Sequence, residues 1–162
     1  MADHREVGGM RLHVDAFPIV VTTTSEPCTG TDYVTHMEEF HEFATARGEP
    51  FVHVWDLRGL RTFPDAETRQ RVVRWMVENA DNASERLVGA ALVVGSPIVR
   101  SAFSLITWLA DPPIPLLFHG RPEPALHWAA ARLEASGLEV TDEVFEIAER
   151  TLYAAGRMRA AS

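Results

Sequence analysis

The sequence predicts an α/β fold: a mixed, mostly parallel sheet of about five strands with helices packed on it. Three observations predict it. Apolar runs of strand length at 51–58, 87–94 and 114–119 alternate with amphipathic stretches of helix length. The first two runs each lead through a short polar loop to a helix start, Asp65 in one case and Ser96–Pro97 in the other. Ahead of them, two β-prone runs flank Pro18, and with no helix between them they read as an antiparallel hairpin.

Taken in order, residues 1–10 are polar and glycine-containing and are expected to form a loose tail. Leu12, Val14 and Phe17 alternate like a short strand, Pro18 breaks it, and residues 19–24 (IVVTTT) resume it. A tight turn there puts the hairpin at a sheet edge, where proline is tolerated. Pro27 and Gly30 mark a loop. The first helix then places Val34, Met37, Phe40 and Ala44 on one face, with Phe43 flanking and Glu38, Glu39 and Glu42 opposite. Gly48 and Pro50 end it. Strand 51–58 is apolar almost throughout, as expected of a central strand covered by other layers.

The second helix, residues 65–79, gathers Val72, Val73 and Met76, with Ala80 just beyond, and Asp65 is suited to cap it. Strand 87–94 (LVGAALVV) follows. The third helix carries Ile98, Val99, Ala102, Phe103, Leu105, Ile106 and Leu109, apolar on most sides, so it is expected to be deeply buried or part of an interface. Asp111–Pro112–Pro113 stops it, and Pro115 marks the short strand 114–119 as an edge or bulge. A helix around Leu126, Trp128 and Leu133 closes at Gly137. In residues 141–160, Thr141 is a cap, Asp142 and Glu143 open the first turn, and Arg157 and Arg159 sit near the end, all in accord with the helix dipole. Val144, Ile147, Ala148, Leu152 and Ala155 share one face, which packs on the domain or meets a partner. The expected organisation is a tail (1–10), one domain (11–137) and a C-terminal amphipathic helix (138–162).

Composition narrows the function classes. A chain of 162 residues fits one domain able to remove roughly 70% of its unfolded surface from water. Net charge is −8 and all 15 basic residues are arginine. That balance argues against nucleic acid and against an anionic membrane surface. Without lysine, Schiff-base and P-loop chemistry are excluded. Cys28 is the single cysteine, so no intrachain disulfide forms. MADHREVGG has no apolar core of a signal peptide, and no run reaches the roughly 20 apolar residues of a membrane span. A cytoplasmic protein with no membrane insertion is expected.

The stretch VHVWDLRGLRTFPDAETRQ, followed by GAALVVGSPIVRSAFSLITWLADPPIPLLFHGRPEPALHWAAARL, resembles the STAS domain and, within it, the SpoIIAA-like (anti-sigma-factor antagonist-like) proteins. The carriers are a strand closing on DL.G, a strand leading to Ser96-X-X-Val99-Arg100, the WL..PP.P stop and the late EPALHWA helix. The resemblance covers residues 10–135 and implies a STAS fold and a regulatory role in binding a protein partner. In that family a serine in a D-S-[ST]-G-like helix start is the phosphorylation switch. Here the matching stretch is Asp65–Ala66–Glu67–Thr68: Ala66 has no hydroxyl, and Glu67 adds a permanent charge. Thr68 is the one hydroxyl left for modification.

The candidate partner-binding residues are therefore Asp56, Arg58, Asp65, Glu67, Thr68, Ser96 and Arg100, at the carboxyl ends of the strands. The competing structural roles are capping for Asp65 and Ser96 and solvated charge for the others. Seven histidines invite a metal reading, but His36 and His41 are five apart rather than four, and His13 and His53, on neighbouring strands, lack a third ligand. No catalytic site, metal or cofactor is assigned. Trp108–Leu109 with Pro112, Pro113 and Pro115 form an apolar corner that reads as an exposed patch. The expectation is a non-enzymatic protein–protein interaction module, bound to another protein or to itself as a homodimer. The alternative is a carrier of a small apolar molecule or lipid, with its pocket between the sheet and the third helix.

Overall fold

The structure, a computed structural model, describes residues 5–63 and 65–161. Strands β1 (Arg5–Val7), β2 (Met10–His13), β3 (Ile19–Ser25), β4 (Phe51–Gly59), β5 (Leu87–Val93) and β6 (Leu116–His119) form one six-stranded sheet in sequential order. The β1–β2 and β2–β3 pairings are antiparallel; β3 through β6 run parallel. The helices are α1 (Gly30–Arg47), α2 (Ala66–Glu78), α3 (Ala80–Ser84), α4 (Pro97–Ala110), α5 (Pro122–Ala135) and α6 (Asp142–Ala160). Among the described residues, no helix is long and apolar enough to cross a membrane.

Alternation along the strands sorts the core into two layers. On one face Ile19, Val21, Val52, Val54, Ala91 and Val93 pack against α5 and α6 through Leu126, Leu133, Ala148 and Leu152. On the other, Phe51, Leu57, Leu92 and Val94 pack beneath α1, α2 and α4. β4 is buried on both faces, which is why its sequence is apolar at successive positions rather than at alternate ones.

The ends of the helices follow from local chemistry. Thr29 and Asp32 form a reciprocal capping box at α1: Thr29 Oγ1 accepts from the Asp32 amide at 3.2 Å, and Asp32 Oδ2 accepts from the Thr29 amide at 2.7 Å. Gly48, at φ 73°, supplies the left-handed residue that closes it. Asp65 caps α2, Ser96 caps α4 ahead of Pro97, and Thr141 caps α6.

Several expectations are corrected. Residues 5–10 are not a loose tail: Arg5–Val7 is a strand paired to β2, and residues 1–4 lie outside the described residues. That raises the sheet from about five strands to six. The segment 138–162 is not an appendage to a domain ending at 137. Leu152 and Ala148 are fully buried in the core that α5 and α6 share. The buried face of α1 is rotated from the expected stripe and includes Tyr33 and His36. The third predicted helix, α4, is buried on one side only: Val99, Phe103 and Ile106 face the core, whereas Ile98, Leu105, Trp108 and Leu109 face solvent.

Candidate functional site

The seven predicted contact residues do not form one surface. Asp56 is 0% exposed and, by strand alternation, points into the α6 layer. Its Oδ1 accepts from the Arg58 amide at 3.0 Å and from Arg58 Nε at 2.9 Å. Its Oδ2 accepts from Arg58 Nη2 at 2.9 Å and from Arg159 Nη2 at 3.0 Å. Arg58 Nη2 also donates to the Leu152 carbonyl at 2.9 Å. Asp56 and Arg58 thus clamp α6 to the sheet, and a buried carboxylate with that many donors is not a docking contact.

Thr68 is corrected as well. It is 4% exposed, lies beneath Gly30, where a Cβ would collide with its Oγ1, and donates its amide to Asp65 Oδ1 at 2.9 Å. A hydroxyl so enclosed is closed to a modifying enzyme. Asp65 and Glu67 are exposed, and the hydrogen bonds from the Thr68 amide and hydroxyl hold the Asp65 carboxyl below its ordinary range. Ser96 Oγ donates to the Arg61 carbonyl at 3.2 Å, tying the start of α4 to the loop that leads into α2. Arg100 is exposed, with its guanidinium 5.7 Å from the Phe118 ring centroid. Asp65, Glu67, Ser96 and Arg100 therefore do share the carboxyl end of the sheet.

That end also holds an open recess of about 270 Å³ beside Glu26, Cys28, Tyr33 and Thr62. Glu26 Oε1 accepts from the Arg61 and Thr62 amides at 3.0 and 3.4 Å, so its charge is already engaged in fixing the loop. Burial, opposed by a hydrogen bond from the Gly9 backbone, raises the Cys28 thiol, with Asp32 and Glu26 adding to the rise. The thiol stays protonated and is a weak nucleophile.

The enclosed site lies at the opposite end of the sheet. A cleft of about 130 Å³ opens between the sheet and the C-terminal halves of α1, α2 and α4. Phe51, Trp55, Leu92, Met76, Phe103 and Ile106 make its walls overwhelmingly apolar. At its base His36 of α1 and His53 of β4 both reach Thr22 of β3, Nε2 to Oγ1, at 3.2 and 2.8 Å. The His53 ring lies 4.3 Å from the Phe40 ring and 5.8 Å from Trp55. Burial pushes His36 down to about 4; burial, with His36 alongside, pushes His53 down to about 3. Both imidazoles are neutral near pH 7.

His13 does not meet His53: β3 separates their strands, and His13 Nε2 meets Thr23 on the other face of β3 at 2.9 Å. Among the described residues no three metal-ligating side chains come together. Apolar periodicity overlooks the Thr22–His36–His53 cluster. Its signal was a polar residue at each inward position of strands otherwise apolar, Thr22 in IVVTTT and His53 in FVHVW.

No family model and no curated protein matches this sequence. Among solved structures, the chain is similar to an uncharacterized protein of the DUF3478 family with a SpoIIAA-like fold, from Shewanella loihica PV-4. The TM-score is 0.50 at 12% identity, over 80% of this chain and 92% of that one. The chain has a SpoIIAA-like fold. An antiparallel N-terminal hairpin, parallel strands and helices on both faces of the sheet accord with it.

Proposed function

We propose that this SpoIIAA-like chain is a non-catalytic, STAS-type binding module whose cleft between the sheet and α1, α2 and α4 takes a small apolar ligand. The observation that carries this reading is the cleft itself, apolar-walled and about 130 Å³ in volume. Drug-sized ligands occupy pockets of roughly 300 Å³ and more, so a lipid carrier is disfavoured. A dry apolar cavity of about 150 Å³ accepts benzene, so a single ring or a short branched chain is the fitting size. The lining residues include no carboxylate and no thiol, which supports binding over catalysis.

The reading is tested with toluene, followed by NMR of the full chain. Shifts confined to Trp55, Phe103 and the His36 and His53 rings are expected, with a Kd in the millimolar range set by so few ligand atoms. Ala90→Leu, placed on the cleft floor, should abolish them while the protein stays folded. No shift in the wild-type protein near toluene saturation would refute the ligand site.

A second reading, a homodimer, rests on the outer face of α4. Trp108 is 77% and Ile98 63% exposed, and Leu105 and Leu109 continue the stripe. Ser101 and Ser104 lie between them, so no charge interrupts the face. On a chain of net charge −8, this is where two copies meet the least repulsion. Sedimentation should show a dimer that the double variant Leu105→Ser/Trp108→Ser converts to monomer. A wild-type monomer at 100 µM would dismiss the homodimer.

A further inference from the structure

We infer that the ligand of the cleft is a small, neutral, hydroxyl-bearing ring compound of the phenol class, with its hydroxyl bound by His36 and His53. The inference rests on the cleft being a ligand site, as proposed above, and adds what the polar base would recognise.

Thr22 carries a single hydroxyl proton and is shared between two imidazole Nε2 atoms. In the arrangement inferred here it donates to one ring and accepts from the other, so that one histidine has a bare Nε2 and the other an Nε2–H. A neutral imidazole has one N–H, so the assignment at Nδ1 is reversed between the rings. One ring carries Nδ1–H, a donor; the other has a bare Nδ1, an acceptor. Both residues line the cleft, and among the described residues neither Nδ1 has a hydrogen-bond partner. The base therefore presents one donor and one acceptor to whatever fills the space above it. A hydroxyl, which donates and accepts, satisfies that arrangement; a bare hydrocarbon leaves both nitrogens unpaired at a cost.

Charge narrows the class further. The depressed pKa values keep both rings neutral at physiological pH. An anion at the base would meet no cation, and a cation would meet no carboxylate among the lining residues. The arginine that lines the cleft, Arg86, has Nη1 4.0 Å from Glu85 Oε2. The ring itself is favoured by the aromatic surroundings: Phe40, Phe51, Trp55 and Phe103 all contribute to the walls.

The test titrates the full-length wild-type protein with toluene, phenol and benzoate, read by NMR, together with long-range 1H–15N spectra of the histidine rings. Phenol is expected to bind about tenfold more tightly than toluene, the equivalent of one well-made hydrogen bond. Benzoate is expected to be the weakest. In the free protein one of His36 and His53 should show the Nδ1–H form and the other the Nε2–H form. Toluene and phenol binding equally would overturn the recognition inferred here and leave the apolar site standing. Binding by neither would remove the site itself. Tightest binding by benzoate would transfer recognition to Arg86, and identical tautomers in the two rings would remove its structural basis.

Discussion

Asp56→Ala is expected to destabilise the protein by about 3–5 kcal/mol, the usual cost of removing one partner from a buried ion pair. Three side-chain bonds and one backbone amide converge on that carboxylate, and they join β4 to α6 across the core. Without it Arg58 and Arg159 face each other with no anion between them, although their partial exposure, 20% and 23%, lets water relieve part of the cost. Arg159→Gln removes one of the two cations and leaves the bidentate Arg58 contact in place, so its cost should be nearer 1 kcal/mol. Urea denaturation of the three proteins measures both differences. If Asp56→Ala cost no more than Arg159→Gln, the carboxylate would not be the point on which the last helix is held.

Acid should destabilise this protein well before its carboxylates titrate. His36 and His53 have folded pKa values of about 4 and about 3, against 6.5 for a solvent-exposed imidazole. Between those values the unfolded chain binds protons that the folded chain does not. Stability is therefore complete above about pH 6.5 and is lost as pH falls toward 4. Each ring contributes about 1.4 kcal/mol per pH unit within that window, so the two together remove roughly 4 kcal/mol between pH 7 and pH 5. His119, lowered by partial burial and by Arg100, adds a contribution of the same sign. Denaturation curves at pH 7, 6 and 5 give the slope, and His53→Gln should reduce it by about half. Equal stability at pH 7 and pH 5 would mean that the two rings take up protons in the fold as readily as in the unfolded chain.

Much of the architecture was legible because it depends on short-range chemistry. Residues 51–58 announce a central strand by being apolar at successive positions. Asp65, Ser96 and Thr141 announce helix starts because a side-chain oxygen at that position satisfies free amides. The apolar corner at Trp108 and Leu109 read as exposed, and it is. Strand β1 was not legible: Arg5, Glu6 and Val7 carry no apolar alternation, and they form a strand because β2 offers an edge to pair with.

The contact residues divided on the same principle. Asp65 and Ser96 have the local capping roles that their positions imply. Asp56 looked like the polar end of a strand facing a loop, but its partner Arg159 lies 103 residues away, on a helix that seemed separable from the domain. His36 lay outside the apolar stripe expected of the first helix, and it is Thr22 on a strand that supplies the partner for its ring.

Taken alone, the sequence determined the α/β class, the mostly parallel sheet with its antiparallel hairpin, and the caps, since hydrophobic period and side-chain-to-amide bonds act over a few residues. Only the tertiary structure decided which polar residues are buried. That depends on whether the fold delivers a partner from a distant segment, as it does to Asp56 from α6 and to His36 and His53 from β3.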